Sequence, residues 1–221
     1  LRLEYTVLGS RELYLFGKDS NVPIWESSAP EGDVEAASIS ADGEYIAVPG
    51  RCGGGDTCIY LFDKDSSTPI WLHEPDDYCF EMDMGQSESG DYMAVATTAS
   101  DDGETTYGVN FYGKDSNSPL WSYSLGEYKP RALELSADGN YFAISTMEVS
   151  SPNDNKAFLF SKDSSTPLWS YSISADSSEP PYMNDISLSA DGKYIAMQWS
   201  IVDKNYYLHT FNILQNIKKA I

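Results

Sequence analysis

Carboxylates are the residues of this sequence whose type and spacing best suit chemistry. They cluster at three places: Asp76-Asp77, Glu81 with Asp83, and Asp101-Asp102. Clustered carboxylates can bind calcium through their oxygen atoms or act as a pair in glycoside hydrolysis. Asp83 and Asp185 also match each other, because each lies seven residues before a glycine of a predicted turn. We expect these two to be the candidate cation or ligand residues; the alternative is a pair of hydrated acids lining a channel.

Other catalytic patterns do not occur in the sequence. It contains two histidines, His73 and His209, which lie far apart. A Ser-His-Asp site needs a nucleophile, a base and a group that orients the base. No GxSxG, HExxH, CxxC or glycine-rich phosphate-loop pattern accompanies the histidines. We therefore expect both histidines to be ordinary strand residues and predict no catalytic residue.

Two of the three cysteines suggest a closed hairpin. Cys52 and Cys58 flank a Gly-Gly-Gly-Asp-Thr loop between two runs of strand-like residues. A disulfide there would close the hairpin and would indicate an oxidising compartment, extracellular or in the cell envelope. Two free thiols are the alternative. Cys79 is expected to be a small core residue.

The charge balance excludes two classes of partner. The chain has 14 Lys and Arg against 34 Asp and Glu, a net charge of −20. Nucleic acids and anionic membrane surfaces are bound largely through basic side chains, so neither is an expected partner. No apolar run is long enough to insert into a membrane. The acids are dispersed, which favours a role in solubility over attraction of cations or of a basic partner.

Two markers recur along the chain with one period. Turn glycines fall at Gly43, Gly90, Gly139 and Gly192, in steps of 47, 49 and 53 residues. Tryptophans that follow Pro and an aliphatic residue fall at Trp25, Trp71, Trp121 and Trp169, in steps of 46, 50 and 48 residues. A period of about 50 residues built from strand signals predicts a β-propeller of four-stranded antiparallel blades. We expect one domain over residues 1–221, with repeat units near 1–30, 31–75, 76–126, 127–178 and 179–221.

One repeat shows the four predicted strands. The innermost is Arg131–Ser136, followed by Tyr141–Thr146, Ala157–Ser161 and a last strand that starts at Pro167. Tyr141–Thr146 is apolar without alternation, so both its faces must be covered, as stacked blades require. Proline suits the start of an edge strand because it has no N–H to donate. We expect the tryptophan of the last strand, here Trp169, to anchor onto the neighbouring blade.

The two end units are incomplete in the sequence. Leu3–Leu8 and Leu13–Phe16 resemble the second and third strands, so the first unit lacks an innermost strand. Tyr206–Phe211 resembles a third strand, and the tail after it has no Lys-Asp-Ser turn or tryptophan. The five units therefore form either a closed five-bladed ring or part of a larger one. Open ends expose unpaired strand edges, which favours self-association.

Two segments resemble known propeller families. Phe-Asp-Lys-Asp-Ser-Ser-Thr-Pro-Ile-Trp at 62–71 resembles the tryptophan docking motif of PQQ-like (quinoprotein-type) repeats, and Ser-Ala-Asp-Gly-Lys-Tyr-Ile-Ala at 189–196 resembles tryptophan–aspartate-repeat propellers. The resemblance covers almost the whole chain and implies a propeller fold, which hosts many functions. Many quinoprotein dehydrogenases carry adjacent cysteines against the quinone, whereas the three cysteines here are never adjacent. No cofactor is therefore expected, with calcium as the alternative.

The functional expectation follows from a complete structural repeat without a catalytic pattern. We expect a non-catalytic binding or scaffold propeller that recognises a protein partner or assembles with itself. A glycan-binding propeller is one alternative, because tyrosine and tryptophan stack on sugar rings, and the size resembles small five-bladed lectins. A PQQ-dependent oxidoreductase or a carboxylate-based hydrolase or lyase is the other.

Overall fold

The fold consists of antiparallel β-sheets that follow one another along the chain. The computed structural model describes residues 2–3, 12–30, 37–52, 57–74, 79–101, 104–149, 154–174, 181–202 and 208–216. In some strands, among them 79–86 and 208–216, only the backbone is described. These residues form eighteen strands and no helix.

The strands form five sheets, each built from strands consecutive in sequence. The first sheet contains β1 (Arg2–Leu3), β2 (Leu13–Phe16) and β3 (Pro23–Ser27). The second contains β4 (Ser38–Ile39), β5 (Tyr45–Arg51), β6 (Thr57–Asp63) and β7 (Trp71–His73). The third contains β8 (Cys79–Gln86), β9 (Tyr92–Asp101), β10 (Glu104–Gly113) and β11 (Trp121–Gly126). The fourth contains β12 (Tyr128–Leu135), β13 (Tyr141–Glu148), β14 (Asp154–Ser161) and β15 (Ser164–Ser174). The fifth contains β16 (Pro181–Leu188), β17 (Tyr194–Val202) and β18 (Leu208–Asn216).

The predicted four-stranded unit is present in the second, third and fourth sheets. In the fourth sheet the order is β12-β13-β14-β15, with every pair antiparallel, as the sequence predicted. The observed strands are longer than the predicted ones, because the pairing continues beyond the apolar segments into polar residues such as Lys129 opposite Met147. The hydrophobic pattern marks where a strand is buried, whereas backbone pairing decides where it ends.

The hydrophobic core lies between successive sheets. The second strand of each four-stranded sheet contributes to two clusters. In the fourth sheet, Phe142 and Ile144 pack towards the third sheet, and Ala143 packs towards the fifth. Ala47, Ala94 and Ala143 are fully buried at matching positions. Because a methyl group projects little, these alanines let the following sheet approach closely. The non-alternating pattern thus reflects burial on both faces.

The end sheets have three strands each among the described residues. In the part of the chain that the structure describes, β1 is the inner edge of the first sheet and β18 is the outer edge of the fifth. The prediction placed the third strand of the fifth unit at Tyr206–Phe211. The observed strand β18 runs over Leu208–Asn216, and positions 206 and 207 lie outside the described residues. The reason is register: Leu214 pairs with Ala196, as Leu159 pairs with Ala143 in the complete fourth sheet. The tail therefore supplies strand residues that its sequence pattern did not reveal.

Candidate interaction surface

Tryptophan side chains join each sheet to the next. The indole Nε1–H groups of Trp25, Trp71 and Trp121 each donate to the backbone carbonyl of a lysine in the following sheet. The acceptors are Lys64 at 2.8 Å, Lys114 at 2.7 Å and Lys162 at 2.8 Å. Each lysine belongs to a Lys-Asp-Ser turn, so this turn serves as the acceptor for the preceding unit. A buried indole N–H needs such a partner.

An aromatic ring two residues before each lysine receives the indole. Trp25 lies 5.7 Å from Phe62, Trp71 lies 6.1 Å from Tyr112 and Trp121 lies 5.6 Å from Phe160, measured between ring centroids. These distances are typical of favourable aromatic pairs. We call the combination of this ring and the lysine carbonyl the indole site. The aromatic residue recurs as Phe16, Phe62, Tyr112 and Phe160, a sequence signal that the prediction missed.

Trp169 differs from the other three tryptophans. Its side chain packs on the cluster between the fourth and fifth sheets, beside Leu159 and Ile186. The fifth unit has no Lys-Asp-Ser turn that could offer a carbonyl. Packing on this cluster is the docking contact that the described residues show for Trp169.

The glycine-containing turns form a second set of contacts between successive sheets. Backbone hydrogen bonds run from Asp42 N–H to the Glu88 carbonyl at 3.1 Å, from Glu88 N–H to Ala137 at 2.8 Å and from Ala137 N–H to Ala190 at 3.0 Å. The glycines of the last three of these turns, Gly90, Gly139 and Gly192, each lie on a tyrosine of the preceding sheet. A Cβ atom on Gly139 would lie 2.7 Å from a ring carbon of Tyr92, so any side chain at this position would require the ring or the turn to move.

Hydrogen bonds to the turn aspartates stabilise their charged form. The Ser40 hydroxyl donates to Asp42 at 2.7 Å and lowers the pKa of that carboxyl. At Asp191, the Lys193 ammonium donates at 2.7 Å and the Ser189 hydroxyl at 2.8 Å, which lowers the pKa to about 2. A carboxylate that accepts such bonds is harder to protonate. These acids hold the turns in place.

Cys52 and Cys58 form a disulfide. Their Cα atoms are 5.8 Å apart, within the range that a disulfide spans. Both side chains are buried in the cluster between the first and second sheets. Cys79 lies on β8, and its side chain is outside the described residues.

The structure places the two candidate acids in different sheets. Asp83 lies on β8 opposite Ala96, and Asp185 lies on β16 opposite Gln198, so their positions in the repeat match. The strand β12 comes between β8 and β16 in the stack, with Ala132 at the matching position. The side chain of Asp83 lies outside the described residues. The two acids belong to separate sheets and do not neighbour each other along one strand.

Asp185 lies on the face of the fifth sheet that points away from the fourth. Its counterpart Ala132 packs against the cluster shared with the fifth sheet, so this position faces the next sheet in the stack. Asp185 is exposed, and its carboxylate accepts from the Ile186 N–H at 2.9 Å. A shallow cavity of about 120 Å³ adjoins it, lined by Asp185, Ile186, Ser187, Ala196, Met197 and Gln198. In the part of the chain that the structure describes, no group of three or more His, Cys, Asp or Glu could hold a metal ion.

Two positions that are covered by a neighbouring sheet inside the stack are exposed at its ends. Tyr194 on the fifth sheet is 48% exposed, while its counterpart Tyr141 lies beneath Gly192 of the following turn. On the second sheet Ile39 is 44% exposed, while its counterpart Leu135 is 7% exposed. The reason is that, among the described residues, the first sheet has no innermost strand that could cover Ile39. The described residues contain no helix that is long and apolar enough to cross a membrane.

Comparisons with known proteins agree on the fold. The chain matches no protein-family model, and no curated protein is similar to it. Among solved structures, hydrazine synthase of Kuenenia stuttgartiensis is similar over 88% of this chain and 54% of its own, with a TM-score of 0.61 and 16% identity. The β-propeller domain of Cps50 (Swd1) from Myceliophteria thermophila is similar over 92% of this chain and 65% of its own, with a TM-score of 0.56 and 11% identity. The chain thus spans 54% and 65% of the lengths of these two proteins. At such identities the likeness concerns the fold alone, and together with the repeated antiparallel sheets it identifies the chain as a β-propeller.

Proposed function

We propose that this chain is a non-catalytic binding propeller that recognises a protein partner through the two ends of its stack of sheets. The observation that carries the proposal is the exposure of Ile39 and Tyr194, whose counterparts are covered by neighbouring sheets. Burying apolar and aromatic surface is the main favourable term in most protein association. An unpaired strand edge offers backbone hydrogen bonds as well.

The net charge favours a different protein over a second copy. Two copies of a chain with a charge of −20 repel each other, and this repulsion opposes self-association at low salt. The negative charge of this chain would instead attract a partner that carries basic residues around an apolar centre. On this argument, the partner completes a larger ring of sheets in place of a closed five-bladed one.

The disulfide supports a location outside the cytoplasm. Disulfides persist in oxidising compartments and are rare where thiols are kept reduced. The Cys52–Cys58 pair is buried in a core cluster, so its loss would also weaken packing. We therefore place the proposed interaction in an extracellular or cell-envelope setting.

Matched variants test the proposed binding surface. Ile39→Ser and Tyr194→Ser alter the two ends. Ile70→Ser alters an aliphatic residue that is equally exposed, at 48%, and that directly precedes the outer strand β7 of the second sheet. Cross-linking and affinity purification from envelope extracts should recover the same protein with the wild type and with Ile70→Ser. The end variants should recover it at least about tenfold less, the change expected for a loss of about 1.4 kcal/mol. Equal recovery by all variants, or a monomer without partner that turns over a substrate, would contradict the proposal.

A further inference from the structure

The outer face of the first sheet carries an indole site whose components match the three occupied ones. We propose that this site, formed by the Phe16 ring and the Lys18 carbonyl, binds a tryptophan on a Pro-aliphatic-Trp strand of a partner protein. This inference rests on the proposed function and names the chemistry of the partner. The partner's indole would stack on Phe16 and donate its N–H to the Lys18 carbonyl.

The three internal interfaces define what the site needs. Each consists of an aromatic residue near the end of the third strand and, two residues later, a lysine whose carbonyl accepts from an indole. Phe16 and Lys18 repeat this spacing in the first sheet, within a Lys-Asp-Ser turn of the same sequence. Tyr14 lies 6.1 Å from Phe16, as Tyr60 lies 6.3 Å from Phe62 in the second sheet. The ring pair that supports the indole is therefore already formed.

Exposure distinguishes the first site from the other three. Phe16 is partly exposed, whereas Phe62, Tyr112 and Phe160 are all fully buried. The Lys18 side chain is 88% exposed, compared with 38%, 27% and 29% for Lys64, Lys114 and Lys162. Among the residues that the structure describes, we find no donor to the Lys18 carbonyl. The face is thus accessible to an incoming side chain.

The tryptophans of this chain argue against a second copy as the donor. The sequence holds four Pro-aliphatic-Trp motifs. Trp25, Trp71 and Trp121 are bound to lysine carbonyls of their own chain, and Trp169 packs against the fifth sheet. A second copy could offer one of them only by opening its own stack. A partner protein with a free motif of this kind does not have to do so.

Alternation along β2 directs the site outward. Leu13 and Leu15 face the second sheet in its core cluster, so their neighbours Tyr14 and Phe16 lie on the opposite face. Phe62 uses the same face of its own sheet to receive Trp25. A docking strand would therefore continue the series of interfaces in the same direction and with the same geometry.

A peptide that carries the motif provides the probe. We suggest the sequence of residues 116–126, Ser-Asn-Ser-Pro-Leu-Trp-Ser-Tyr-Ser-Leu-Gly, added to the whole protein with labelled phenylalanine rings. Binding should shift the Phe16 ring signals upfield, because the indole stacks on them, and should shift the Lys18 and Asp19 amide signals. A peptide with Leu in place of its Trp should bind at least about tenfold more weakly, and one with 1-methyltryptophan, which cannot donate, about fivefold more weakly.

Protein variants complete the test. Phe16→Leu, which has no Phe16 ring signal, should abolish the shifts of the Lys18 and Asp19 amides. Ile24→Ala, at a site 60% exposed in the next strand, should keep both these shifts and that of the Phe16 ring. A Phe16 signal that does not move at saturating peptide, or moves equally with the peptide lacking Trp, would overturn the inference. If the end variants still lose their partner in that case, the proposed function stands without this site. Concentration-dependent dimers that Phe16→Leu abolishes would identify a second copy as the occupant and overturn the choice of partner.

Discussion

Replacing Trp121 should destabilise the protein more than replacing any other docking tryptophan with a described site. Its ring lies 5.3 Å from Phe111, 5.5 Å from Phe142 and 5.6 Å from Phe160, between centroids, and its N–H donates to Lys162. Trp25 makes one described ring contact, with Phe62, and an equivalent hydrogen bond. The two residues therefore differ in ring packing and share the same donor interaction.

The magnitude follows from these contacts. An aromatic pair contributes about 1 kcal/mol beyond its buried area, and a hydrogen bond about 1 kcal/mol. Trp121→Leu removes three pairs and one bond, so the free energy of unfolding should fall by about 4 kcal/mol. Trp25→Leu should lower it by about 2 kcal/mol. Trp121→Phe, which keeps a ring but has no donor, should fall between the wild type and Trp121→Leu.

Equilibrium unfolding in urea measures these differences. Circular dichroism is the suitable signal, because removing a tryptophan changes the fluorescence itself. Repeat proteins can lose cooperativity when one interface is weakened, so the slope of the transition should be compared along with its midpoint. Equal losses for Trp121→Leu and Trp25→Leu, or a loss below about 1 kcal/mol for Trp121→Leu, would refute the assignment of ring stacking as the main docking term.

Three further predictions concern the turns and the disulfide. Gly139→Ala should lower the free energy of unfolding by about 2 kcal/mol more than Gly43→Ala. Both glycines have a positive φ, but a Cβ atom would meet Tyr92 at Gly139 and nothing within 4 Å at Gly43. Equal losses in urea unfolding would exclude steric contact as the cause. The pKa of Asp191 is lowered to about 2 from 3.8, so its contribution to stability is present above pH 3.8 and disappears as the pH falls through about 2. Melting temperatures across that window should therefore fall less steeply for Asp191→Asn than for the wild type, and parallel curves would contradict this. Reduction of Cys52–Cys58, six residues apart, should lower the free energy of unfolding by about 2 kcal/mol, and a double serine variant that is unaffected by reductant serves as its control.

The repeats show how far sequence reasoning reaches. A strand with apolar residues on both faces, such as Tyr141–Thr146, can be identified from its pattern because burial on both sides leaves no polar alternation. The third strand of the fifth sheet, β18, could not be placed in this way. Its residues near Leu214 alternate weakly, and pairing with Ala196 sets its position. Register depends on the partner strand, which a local pattern does not contain.

The same limit applies to the candidate site. The matching positions of Asp83 and Asp185 could be predicted from their distance to the turn glycines, but the direction in which Asp185 points could not. Its direction became clear from Ala132, which packs against the following sheet. The indole acceptor was also missed, because it is a backbone carbonyl and every residue has one. Three-dimensional proximity alone selects the lysine carbonyl in each turn.

The sequence by itself determined the repeat, its period of about 50 residues, the turn glycines and the tryptophans that mark each unit, because these features depend on local backbone geometry and on side-chain type. The tertiary structure alone decided which carbonyl each indole meets, which faces are covered and which remain exposed at Phe16 and Tyr194. The physical reason is that burial and docking are relations between sheets. Similar units acquire different surroundings from their place in the stack.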